Sequence, residues 1–157
     1  MQTFLPYPEF ERTASVLDRQ RLGKQRVEAW QILKANANTS GGWKNHPATL
    51  MWRGFEYALC DYGIAICDEW IKRGFKDTLR LRFQTLRGTI EPSGTPRWVY
   101  NPQLSVSHQS NLVRKLPEHY RKFFPDVPNY LPYVWPGAIN SKSALSIDLF
   151  ENIKEIS

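Results

Sequence analysis

The sequence predicts a mainly α fold: one compact helical domain with an extended N-terminal segment and a proline-rich C-terminal wrap. Three observations predict it. Two long stretches, from Leu17 and from His46, carry apolar residues at helical spacing. Prolines stand at helix-opening positions, Pro47 after His46 and Pro102 after Asn101, where the missing N–H is harmless. The length, 157 residues, suits a single domain (1–157) whose core needs no staples.

Taken in order, Met1 to Phe10 is short, apolar and interrupted by Pro6 and Pro8, which forbid a regular helix, so it is expected to run extended over the body. The first long helix should start between Ser15 and Asp18, either of which can cap it, and reach about Asn36. Asn38–Thr39–Ser40–Gly41–Gly42 then breaks it. At about 100° per residue, Arg21, Lys24, Gln25 and Glu28 share one face, which sets one carboxylate inside a basic stripe. Leu22, Ala29 and Leu33, with Val27 and Trp30 beside them, give a separate apolar flank for the core. The stripe is then free to face a ligand, although a salt-bridged surface helix has the same pattern.

A second helix is expected from His46–Pro47 to a stop at Gly74. Met51, Phe55, Ala58, Leu59, Tyr62, Ile66, Trp70 and Ile71 recur along it at core spacing, over roughly 40 Å. Its aromatics read as core rather than as a stacking platform. Asp77 to Arg87 is a short basic amphipathic segment, and Glu91–Pro92–Ser93–Gly94–Thr95–Pro96 is a loop able to act as a lid or flap. Asn101–Pro102 can cap and begin a helix through Lys115, and Pro117 opens a further turn to Phe123. From Phe124 to Pro136 the prolines exclude helix and central strand, so this stretch should wrap the surface with its aromatics packed. The tail from Ser141 to Ser157 is weakly amphipathic and peripheral.

Cys60 and Cys67 lie about 10 Å apart along the predicted helix, too far to bridge, and read as packed core thiols of a reducing compartment. Three scattered histidines have no metal-ligand spacing, so no metal is expected. There is no signal-peptide pattern and no apolar run of membrane length, which points to a cytoplasmic protein. A net charge of +6 together with six Trp, seven Tyr and eight Phe suits a nucleic-acid partner, since phosphate attraction and base stacking are what those residues supply.

Gln20–Arg21–Leu22 followed by Glu28–Ala29, His46–Pro47 with Gly54, and Ile71–Lys72–Arg73–Gly74–Phe75 resemble the pyrimidine-dimer DNA glycosylases related to phage endonuclease V. Met1–Phe10, Ser107–His108–Gln109–Ser110 through His119–Tyr120, and Leu131–Pro132–Tyr133–Val134–Trp135–Pro136 resemble a bacterial and phage branch of that family. The likeness covers about residues 1–136 and rests on the order and spacing of motifs that are loose one by one.

The resemblance implies a helical fold of the endonuclease V type, monomeric and without a cofactor, acting on damaged or modified duplex DNA. It implies an N-terminus that threads between helices and sets the terminal α-amine beside a glutamate of the first long helix, here Glu28. In the family that amine attacks C1′ of the deoxyribose, the base leaves, a Schiff base forms and strand cleavage follows by β-elimination. The bulky Gln2 is expected to leave the initiator methionine in place, so the nucleophile would be the amine of Met1. Gln20 matches a DNA-contacting glutamine, and Arg21 takes the place of a histidine. Gln2, Lys24, Gln25, His46, His108, Arg114 and Lys115 complete the expected nucleic-acid contacts, with His46 and His108 equally readable as capping or structural residues.

The chemistry suits these groups. A free α-amine is on the order of 10% neutral at pH 7 and a lysine less than about 0.1%, and only the neutral amine is nucleophilic. A carboxylate such as Glu28 can stabilise the positive charge that develops on the sugar and then assist proton removal at C2′. Arg21 and Lys24 can hold flanking phosphates. The resemblance implies excision of a pyrimidine dimer, but Val27 and Gln31 replace two arginines of the phage enzyme, which moves the phosphate contacts, so another damaged or modified pyrimidine is an equally open expectation. Two other readings fit the same residues: a non-catalytic DNA-binding module of this fold, and an enzyme cutting the glycosidic bond of modified nucleosides or nucleotides. Arg26, nearer the apolar flank, is expected to pair with Asp61, Asp68 or Glu69.

Overall fold

The computed structural model describes residues 1–38, 41–137 and 143–146, and every regular element among them is helical. A short helix missed by the sequence reading comes first: α1 (Phe10–Val16) starts just after Pro8. Leu17 is extended, and Asp18 then caps α2 (Arg19–Ala37) with its carboxylate accepting the Arg21 N–H at 3.4 Å.

The single helix expected from His46 to Gly74 is in fact two. His46 caps α3 (Pro47–Leu50), its Nδ1 accepting the Ala48 N–H at 3.0 Å. The chain then turns through Gly54, whose φ of 89° lies in the left-handed region that side chains disfavour. α4 (Glu56–Lys72) starts afresh and stops at Gly74 as expected, with the Phe75 N–H reaching the Trp70 carbonyl at 3.2 Å.

α4 is the centre of the fold, since α1, α2 and α5 (Arg80–Arg87) all pack on it. Leu59, Tyr62, Ile66 and Cys67 are fully buried, while Ile71 is 45% exposed and Trp70 half-buried, so the expected apolar stripe leaves the core in its last turn. Val27, expected on the apolar flank of α2, is exposed for the same reason: the flank covered by α4 is narrower than the sequence suggests. Cys60 and Cys67 are buried free thiols, and burial pushes both well above the ordinary thiol range.

Arg26 pairs with Asp77 at 2.5 Å and lies over the Trp70 ring. The expected acids are engaged elsewhere: Asp68 with Arg80, Asp61 with Arg87 and Glu69 with Arg73. The turn at Gly74 brings Asp77 back to α2, a long-range event that helical spacing does not encode.

After a 3-10 turn at Arg97–Tyr100, Asn101 caps α6 (Pro102–Lys115), and Pro117 opens α7 (Pro117–Tyr120). The proline-rich stretch beyond is irregular, as expected, and α6 side chains hold it. Ser107 Oγ accepts the Val134 N–H at 3.1 Å, Ser110 Oγ the Leu131 N–H at 3.0 Å, and the Asn111 amide donates to the Leu131 carbonyl at 3.0 Å. Of the C-terminal tail, the Ser143 hydroxyl donates to buried Glu56 at 2.6 Å and Leu145 is buried; the amphipathic stretch after Ser146 lies outside the described residues.

Candidate active site

The first residues form an extended segment with no partner strand, and buried side chains supply the missing hydrogen bonds. Gln25 of α2 accepts the Phe4 N–H at 2.8 Å and donates to the Gln2 carbonyl at 2.9 Å. His108 of α6 accepts the Leu5 N–H at 2.8 Å. The Tyr62 hydroxyl lies 2.8 Å from the Phe4 carbonyl and 2.6 Å from Gln25 Oε1, and Trp52 donates to the Thr3 hydroxyl at 2.9 Å. Gln2, Thr3, Phe4 and Leu5 are all buried. The segment therefore runs through the interior, not over the body as its apolar composition suggested, and it has the threaded form that the resemblance implied.

Threading brings the start of the chain to Glu28. Glu28 Oε2 accepts the Gln2 N–H at 3.2 Å and a Gln25 amide hydrogen at 3.0 Å, one peptide away from the terminal amine. Met1, Gln2, Glu28 and Tyr133 line a cleft of about 290 Å³, and Gln20, Arg21, Lys24 and Lys115 stand around it. A wider groove of about 650 Å³ continues along α2 past Gln20, Lys24 and Glu28 to Arg19 and the Trp70 ring. Gly23 makes room for that ring, because a Cβ there would meet Trp70 at 3.0 Å. Among the described residues, Glu28 is the one carboxylate lining either space, beside several cations. Arg21 is also tethered to Asp18 at 3.3 Å. Burial pushes the Asp18 carboxyl up, but hydrogen bonds from Tyr120 and the charge of Arg21 outweigh it and hold it below the usual range.

His46 faces the same charges. Its pKa is lowered, first by burial and then by the positive N-terminus, with Glu28 opposing. Because Nδ1 accepts the Ala48 N–H, the neutral ring carries its proton on Nε2. Trp43 and Trp135 stand edge-to-face to the ring at 5.3 and 6.0 Å, and Trp135 meets Tyr133 at 5.7 Å. These rings form an aromatic shelf that leads from the cleft out to Trp43, which is 52% exposed.

Of the residues singled out from sequence, Met1, Gln2, Gln20, Arg21, Lys24, Glu28 and Lys115 gather at one cleft, with His46 near enough to feel the charges of the amine and Glu28. Gln25 reaches the same cleft, but from within the clasp around the N-terminal segment, whereas His108 is corrected, since it lies outside the cleft. At 1% and 0% exposure they anchor the N-terminal segment, and burial lowers the His108 pKa to about 3, so it offers no charge to a phosphate. Arg114 is exposed but donates to the Asn129 carbonyl at 3.1 Å and to Asn111, pinning the proline-rich stretch rather than lining the cleft. The loop Glu91–Pro96, which the sequence offers as a lid or flap, lines neither space. Sequence reasoning missed Tyr133 and Trp135 as site residues. Only the motif from Leu131 to Pro136 marked their segment, and its return to the N-terminus is a tertiary event. Burial raises the Tyr133 phenol, with Arg114 and Arg21 opposing.

A family model described as pyrimidine dimer DNA glycosylase matches residues 1–83, which include α1 to α4 and with them Met1, Glu28 and His46. No curated protein and no solved structure matches the chain.

Proposed function

We propose, since the chain belongs to the pyrimidine dimer DNA glycosylase family, that it excises a damaged or modified pyrimidine from duplex DNA by attack of its terminal amine on the sugar. The observation that carries this reading is the hydrogen bond from the Gln2 peptide N–H to Glu28 Oε2 at 3.2 Å. It fixes a carboxylate one residue from the amine of Met1, inside a cleft ringed by Arg21, Lys24 and Lys115.

The steps follow from that juxtaposition. The neutral amine bonds to C1′ as the C1′–N bond breaks, and the base leaves with the bonding pair. Glu28 stabilises the positive charge that gathers on the sugar. The C1′–O4′ bond then opens, O4′ takes a proton, and the Met1 nitrogen and C1′ become a Schiff base. Glu28 next removes a proton from C2′, and the electrons expel the 3′ phosphate, so that strand cleavage accompanies excision. Arg21, Lys24 and Lys115 hold the flanking phosphates, and the shelf of Tyr133 and Trp135 receives bases displaced from the stack.

Borohydride trapping tests this with untagged protein whose first residue is confirmed by mass spectrometry. The expected result is a reduced cross-link on Met1 with dimer-containing and abasic duplexes. Blocking the terminus should abolish it, and Glu28→Gln should lower it about a thousandfold while salt-dependent DNA binding persists. Binding without trapping on either duplex would overturn the mechanism in favour of a DNA-binding module.

A further inference from the structure

Gln2 is clamped at every polar atom but one. Its peptide N–H goes to Glu28 at 3.2 Å and its carbonyl accepts from Gln25 at 2.9 Å. Its side-chain Oε1 accepts the Thr3 N–H at 2.9 Å, which fixes the orientation of the amide, since only the oxygen end can accept. That leaves Nε2, with two hydrogens, buried and without a partner on a residue only 5% exposed. Orphaned buried donors are rare in folded proteins and call for an explanation. This one belongs to a residue that lines the cleft with Met1, Glu28 and Tyr133.

The structure assigns Gln2 to the leaving group: we infer that its Nε2 hydrogens bond O2 of the departing pyrimidine and stabilise the charge that collects there. The inference rests on the function proposed above and adds a role which that mechanism leaves empty. When the C1′–N1 bond breaks, its electron pair passes to N1 and spreads onto O2. The hydrogen bond from Gln2 strengthens as that charge grows, so it favours the transition state over the ground state. No proton crosses from Gln2. The amine sheds a proton after attack, and the base anion takes one up. O2 survives saturation of the pyrimidine 5,6 bond, so the same donor serves an intact, modified or dimerised ring. The role requires the entering nucleotide to expose Nε2, now buried, while Thr3 already holds the amide in its orientation.

The two steps of the reaction separate this role from a structural one, because a preformed abasic site has no base to expel. Gln2→Glu keeps an acceptor for Thr3 and loses the donor, and Gln2→Met loses both. Each is a bulky second residue, and mass spectrometry verifies that Met1 remains. Single-turnover excision from a dimer-containing duplex is compared with borohydride trapping on an abasic duplex. The ratio of excision to trapping should fall about a hundredfold in both variants. A ratio unchanged from wild type in the Glu variant, whether both steps fall or neither does, would overturn the leaving-group role. Wild-type protein that traps the abasic duplex yet never excises a dimer would overturn it as well. Wild-type protein inert on both duplexes would instead overturn the proposed function, and this inference with it.

Discussion

His46 and His108 each accept a backbone N–H at Nδ1, from Ala48 at 3.0 Å and from Leu5 at 2.8 Å, yet they end in opposite settings. His108 belongs to the inner polar clasp around the N-terminal segment, at 0% exposure, and its Nε2 has no partner. His46 belongs to the outer shelf, half-buried between two tryptophans and within the field of the amine and Glu28. The same local hydrogen bond fixes the tautomer in both. What differs is the setting of the ring, sealed in the interior for His108 and half-buried in the field of the amine and Glu28 for His46. Inside, a polar side chain is a structural pin for the segment; outside, it stays partly open to solvent.

The largest effect expected from this contrast comes from breaking the clasp. Gln25→Leu leaves the Phe4 N–H and the Gln2 carbonyl buried without partners, and should destabilise the protein by about 4 kcal/mol in denaturant unfolding. A loss below about 1 kcal/mol would mean that water enters the clasp and that inside and outside are not distinct.

Acid comes next. The folded-state pKa of His108 is about 3, against about 6.5 unfolded. Above pH 6.5 the ring is neutral in both states, and its contribution to stability is fully present. Below that, the unfolded chain takes a proton that the folded one refuses. Stability should therefore fall as pH drops, by about 3 kcal/mol from pH 6.5 to 4. Asp18 and Asp77, held below the usual range, lose their contribution only at lower pH. Unfolding free energies at pH 7, 6, 5 and 4 measure the slope, which His108→Gln should flatten. Parallel slopes for the two proteins would show that His108 is not the sealed group.

The smallest change in stability is expected at the shelf. Asparagine caps helices as well as histidine does here, so His46→Asn should alter unfolding by less than about 0.5 kcal/mol. The same variant should slow borohydride trapping on a dimer duplex about tenfold, because it removes the imidazole that lies in the field of the amine and Glu28. A variant that traps at the wild-type rate would place His46 with His108 as structure alone.

Much of this was legible in the sequence, and the limit falls at a physical line. The stripe on α2 placed Arg21, Lys24 and Glu28 on one face because helical geometry is local, and Pro47 and Pro102 marked helix starts because a missing N–H matters only there. Gln25 shares that stripe in sequence but turns out buried, because a segment more than twenty residues away covers it. His108 pairs with Leu5 across 103 positions, and Arg26 finds Asp77 across 51. Periodicity carries no information about such partners. The break at Gly54 is a local signal that the apolar spacing masks, because that spacing continues across it.

The bond between Leu5 and His108 also sets an order of events during synthesis. A chain being extended at roughly 5–20 residues per second exposes its N-terminus many seconds before position 108 exists. Until α6 is made and docked, the first residues have no His108 to receive them. Closing so long a loop is entropically slow and comes late in folding. The clasp that seats the first residues is thus closed only by completion of the chain through α6.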